Sequence, residues 1–146
     1  MTDSVDDRLL VLEKRGVIIV DPRQTHIDDE VVVDRISAGA VLYPGTRLLG
    51  RRTFVGPGAS IGTEGPAVLK NSVLGKNAEV ASGFLDGAVL LPTARVGSSA
   101  HIREGTLLEE QASTAHCVGL KHSILLSYVT LGSLINFCDA LILEII

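Results

Sequence analysis

At 146 residues the chain has room for one domain with a real core, and with 46% hydrophobic but only 3% aromatic residues and no Trp, that core must be built from Val, Leu, Ile and Ala. A net charge of -4 and a pI near 5.5 exclude the broad basic face of a nucleic-acid binder, for which Arg47, Arg51 and Arg52 are too few. Cys117 and Cys138 form no CxxC pair and the opening residues do not read as a secretory signal, so a reducing, cytoplasmic setting and two small packing thiols are expected.

Residues 3–15 predict a short helix. Asp3 or Ser4 caps it, Asp6 and Asp7 suit its first turn, and Val5, Leu9, Leu10 and Leu12 supply an apolar face. Gly16 stops it. Residues 17–20 (VIIV) read as a strand ended by Asp21 and Pro22. Residues 1–22 are thus a helix with a lead-in strand, and residues 23–146 the domain proper.

From Ile27 onward a rhythm of six takes over. It is clearest at Leu90, Val96, Ile102, Leu108, Thr114, Leu120 and Leu126, each followed four places later by a mostly small residue: Ala94, Ala100, Thr106, Ala112, Val118, Ile124 and Thr130. Neither a helix nor an ordinary strand needs that period. A three-sided parallel β-solenoid does, because each unit is one flat strand plus one corner and three units close a coil. Earlier units begin at Leu42, Leu49, Val55 and Ile61, with Leu48 as an extra residue at a corner. The run Thr63 to Ala67 reads as a loop that shifts the register, and the pattern slips again from Phe84 to Gly87. About six coils of roughly eighteen residues follow. Residues eighteen apart then stack, with Leu90, Leu108 and Leu126 in one inward ladder and Ile102 and Leu120 in another.

Residues 124–146 are strongly apolar, but Ser127, Thr130, Ser133, Asn136, Asp139 and Glu144 interrupt them, so buried solenoid strands explain them better than a membrane span. The chain closes on Leu143, Glu144, Ile145 and Ile146 without a capping helix. Such an end invites a covering chain or points to a C-terminally incomplete solenoid.

Specific motifs now add a family. Residues 16–22 (GVIIVDP), Tyr43-Pro44-Gly45-Thr46, Leu49-Gly50, Val55-Gly56, and above all His101-Ile102-Arg103-Glu104-Gly105 with Val118-Gly119-Leu120-Lys121 carry the likeness. The chain resembles, over about four fifths of its length, the left-handed β-helix acetyltransferase domain of the bifunctional N-acetylglucosamine-1-phosphate uridyltransferase and glucosamine-1-phosphate acetyltransferase family. The resemblance implies a left hand for the solenoid and a homotrimer with sites between subunits, Leu125, Tyr128 and Leu134 supplying contact faces. It also implies that Arg103 and Lys121 grip the phosphate of a sugar phosphate or nucleotide sugar. By spacing alone the same two residues read as solvated charges on an outer face, paired with Glu104 or Glu109. Acetyl-CoA enters as the implied co-substrate. The family's uridylyl-transferring domain, with its glycine-rich nucleotide loop, has no counterpart in this sequence.

One position departs from the pattern. The family has a histidine twelve residues after the lysine and a tyrosine three further on, where this chain has Ser133 and Asn136. Acetyl transfer to an amine needs a base near neutral pKa, and a serine without a partner base is none. Among the four histidines, His101 beside Arg103 is the nearest alternative, while His116 and His122 fall on neighbouring faces of one coil. A hexapeptide zinc enzyme would need converging histidines, and the five-residue His–His step is missing, so no metal is expected. The sequence leaves two functions open: a sugar-phosphate-binding transferase relative, and a non-catalytic trimerising scaffold.

Overall fold

The computed structural model describes residues 3–143, with side chains from Asp7 onward. The helix spans Asp3–Lys14 and is followed by three parallel sheets wound about one axis. The chain visits the sheets in turn, so every coil adds one rung to each wall. The first sheet runs from Ile18–Ile19 through Val41–Leu42 to Thr130–Leu131, the second from His26–Ile27 to Asn136–Cys138, and the third from Phe54–Val55 to Leu141–Ile142. A bridge between Ile36 and Val55 extends the third wall by one rung. The winding makes about seven turns, not the six expected. The lead-in strand is already part of the first turn, and later turns run short: Val80 pairs with Val96 and Thr114 with Leu131.

Each wall points one aliphatic ladder inward. Leu42, Ile61, Val80 and Val96 line the first; Leu48, Leu69, Leu85 and Ile102 the second; Val55, Leu74, Leu90 and Leu108 the third, all buried. Ala59, Ala78, Ala94 and Ala112 are fully buried where two walls converge, and the narrow corner leaves no room for a longer chain. A flat strand position buried between rungs above and below removes its whole side chain from water, about 1.5–3 kcal/mol for each aliphatic.

Several positions differ from those expected. Leu48, six after Leu42, takes the inward slot, and the extra residue falls between Leu48 and Val55, leaving Leu49 half-buried. Phe84 is exposed and Leu85 inward. Leu108 pairs with Leu125, so Leu125 is the buried rung and Leu126 only packs beside it; Ile124 and Thr130 are exposed, and Leu131 fills the next inward slot. Leu125 therefore cannot belong to an outer contact face.

The shift after Leu120 has a local cause. Lys70-Asn71-Ser72-Val73-Leu74 and Lys121-His122-Ser123-Ile124-Leu125 are corners one residue shorter than the repeat. In each, the second residue turns left-handed (φ 48° at both Asn71 and His122). The buried serine hydroxyl then donates to the lysine carbonyl, at 3.1 Å from Ser72 and 2.9 Å from Ser123, and accepts an N–H from the next coil, Ala88 at 3.1 Å and Ala140 at 3.4 Å.

The helix covers the first turn with Leu9 and Leu12, while Leu10 is exposed, contrary to its expected place on the apolar face. The capping by Asp3 or Ser4, the Asp6 and Val5 side chains, and the segment Glu144 to Ile146 lie outside the described residues. The helix ends in a Schellman motif: Val17 N–H reaches the Leu12 carbonyl and Gly16 N–H that of Glu13, both at 3.0 Å. Gly16 holds φ 98°, and a Cβ there would sit 3.0 Å from Ala38 Cβ. Gly16→Ala is expected to lower stability by about 1 kcal/mol or more, read as a shifted urea midpoint at unchanged slope. No helix is long and apolar enough to cross a membrane among the described residues.

Candidate functional site

The outer face of the second sheet changes character toward its late coils. Phe84, His101, Gly119 and Asn136 occupy one column across four adjacent strands. Gly119 carries no side chain, and the Asn136 amide leans over it; a Cβ there would meet Asn136 Oδ1 at 2.8 Å. The missing side chain opens a groove of about 370 Å³, bordered by His101, Arg103, Cys117, Leu134 and Asn136. That volume lies within the range of small-molecule sites. His101 is exposed on the strand Ala100–Ile102, its ring 5.9 Å from that of Phe84.

Arg103 directly follows the strand Ala100–Ile102, and its N–H donates to the Leu120 carbonyl at 2.7 Å. Lys121 is the next residue up the same column, paired in turn with Cys138. The Arg103 guanidinium extends along this column until Nη2 lies 4.0 Å from Cys138 Sγ. Arg103 lines the groove and is exposed; Lys121 is half-buried and stands outside the groove's lining. Neither cation has a carboxylate partner among the described residues. Glu109, one of the two expected partners, instead accepts the Ser127 N–H at 3.0 Å. Both thiols are exposed, contrary to the packing role expected of them.

At the opposite end of the groove the chain turns from the first sheet into the second. Ser98, His116 and Ser133 stack there, held by backbone bonds from Cys117 N–H to Ser98 O (2.8 Å) and from Leu134 N–H to His116 O (3.1 Å). The residues that follow them, Ser99, Cys117 and Leu134, all adopt left-handed backbone, with φ of 57°, 58° and 63°. Ser133 Oγ lies 2.8 Å from His116 Nδ1, and Ser98 Oγ donates to the Glu64 carboxylate. Ser133 therefore does have an imidazole beside it. The histidine expected nearest to that role, His101, is not the one that supplies it. A sequence signal existed: His116 precedes Ser133 by seventeen residues, the length of that coil.

His122, on the far corner, has Nδ1 3.5 Å from Asp139 Oδ1. No group of three or more His, Cys, Asp or Glu comes together to hold a metal among the described residues.

No protein-family model matches the chain. Individual proteins do. It is 37% identical over 110 residues to the bifunctional protein GlmU of Nocardia farcinica, covering 75% of this chain and 21% of that protein. The bifunctional protein GlmU of Exiguobacterium sibiricum is 33% identical over 139 residues, with 84% and 28% covered. That of Carboxydothermus hydrogenoformans is 32% identical over 114 residues, with 78% and 24% covered. The chain spans about a quarter of the length of the curated relatives it matches.

Proposed function

Because this chain belongs with the GlmU family, matching its β-helix part, we infer that it binds a sugar phosphate or nucleotide sugar through Arg103 and Lys121. The observation that carries this reading is their shared column on adjacent coils, without a carboxylate partner among the described residues and beside a groove that Arg103 lines. A planar guanidinium grips two phosphate oxygens at once, and an ammonium on the next rung supplies a second charge to the same dianion. The setting is cytoplasmic and the assembly a homotrimer, with the groove facing a neighbouring subunit and acetyl-CoA as the acyl donor.

Glucosamine 1-phosphate at millimolar concentration is expected to raise the melting temperature. Arg103→Ala should weaken its binding about 10–100-fold, the effect of removing a charged hydrogen-bonding partner. Calorimetric titration of both proteins checks this, and a wild-type melting curve indifferent to the ligand contradicts the reading.

The second reading is a non-catalytic trimerising module. Tyr128 and Leu134, 67% and 78% exposed, favour it as apolar contact residues. It forecasts a stable trimer that neither sugar phosphate nor acetyl-CoA affects.

A further inference from the structure

The geometry points to His116 as the general base of this site, with Ser133 as the residue that positions it. This rests on the sugar-phosphate reading above and names the group that Ser133, taken alone, fails to provide. A neutral imidazole has one N–H and one lone pair. Nδ1 is the nitrogen engaged, 2.8 Å from Ser133 Oγ. With Nδ1–H donated to that hydroxyl, the lone pair is on Nε2, which has no protein partner among the described residues and can accept a proton.

The opposite division of roles, Ser133 as nucleophile and His116 as its base, fits less well. A nucleophile's imidazole is held through its second nitrogen by a third group, and Nε2 has no hydrogen-bond partner among the described residues. The pair is also rigidly mounted. The Leu134 N–H binds the His116 carbonyl, so the two corners cannot slide past each other without breaking the backbone ladder.

The position suits the task. Cys117 and Leu134, the residues after His116 and Ser133, form one rim of the groove and Arg103 the other, with His116 and Ser133 on the corner just outside that lining. From residue 116 to residue 121 is five steps, round the corner at Cys117 and along the strand Gly119–Lys121, at most about 18 Å. With the phosphate held at the Arg103 end, the amine of the same sugar phosphate extends toward His116. Its lone pair attacks the carbonyl carbon of an acyl thioester. The C–N bond forms as the amine sheds a proton to Nε2, the C–S bond breaks, and the departing thiolate takes that proton to leave as the thiol.

The test measures thiol release from acetyl-CoA with glucosamine 1-phosphate across pH, together with calorimetric binding of glucosamine 1-phosphate, for wild type, His116→Gln, His116→Ala, Ser133→Ala and Ser133→Thr. His116→Gln should bind like wild type yet lose about 100-fold or more in turnover. Added imidazole should restore part of the His116→Ala rate. Ser133→Ala should lower kcat with KM unchanged and displace the acidic limb of the pH profile, and Ser133→Thr should return both toward wild type. Wild-type turnover in His116→Gln, or wild type that binds the sugar phosphate without transferring acetyl, overturns the base and leaves the binding reading standing. Wild type that fails to bind overturns both.

Discussion

Leu108→Asp should leave no folded protein at 25 °C. Leu108 is fully buried in the third wall, paired to Leu90 below and Leu125 above. It belongs to the buried aliphatic core and is closed off from solvent, so a carboxylate there is left desolvated and without a cation. The desolvation penalty alone is several kcal/mol, and the lost Leu packing adds about 2–5 kcal/mol. A domain with about 5–15 kcal/mol in total cannot absorb both. Location aggravates the damage, because a solenoid coil is stabilised only by the coils on either side of it. Leu108→Ala should still fold, with the 2–5 kcal/mol loss alone. Far-UV circular dichroism and urea titration separate the two, and a wild-type melting curve for Leu108→Asp contradicts the stacked-ladder core.

Gly83→Ala should cost about 3 kcal/mol or more and disturb the groove as well. Gly83 opens the strand Gly83–Asp86 with φ 121°, and a Cβ there would lie 2.2 Å from the Ala100 carbonyl oxygen and 2.5 Å from its nitrogen. Those are backbone atoms, so the methyl fits only if the strand Ala100–Ile102 moves. That strand presents His101 and delivers Arg103. Gly83→Ala is therefore expected to weaken glucosamine 1-phosphate binding together with stability. Gly132→Ala is the control: its Cβ would meet nothing nearer than Ile135 Cδ1 at 4.0 Å, and stability should stay within about 0.5 kcal/mol of wild type. Equal losses in the two variants would contradict the close strand approach.

The two variants probe what reads most and least easily from residues. Ladder positions from Leu90 to Leu120 were legible because each is a local count of six, with an aliphatic at every step but Thr114. Beyond Leu120 the count failed, since Ile124, Leu125 and Leu126 are three equally apolar candidates and only one is buried. The choice falls to Ser123, whose hydroxyl bonds close a five-residue corner. The recurrence of Lys-x-Ser-Val/Ile-Leu at residues 70–74 and 121–125 is a sequence signal for that shorter step.

The candidate site divides along the same line. Arg103 and Lys121 fell into one column by spacing because the strands beneath them pair at full eighteen-residue register, Ile102 to Leu120. His116 and Ser133 did not, because their meeting depends on every corner in the intervening coil.

Taken by itself, the amino-acid order determined a three-walled parallel solenoid with an aliphatic interior, since side-chain size and a period of six are local properties of each unit. The tertiary structure alone decided which polar groups touch from one turn to the next. Such contacts are set by the accumulated residue count around a whole turn, and a single shortened corner moves everything after it by one position.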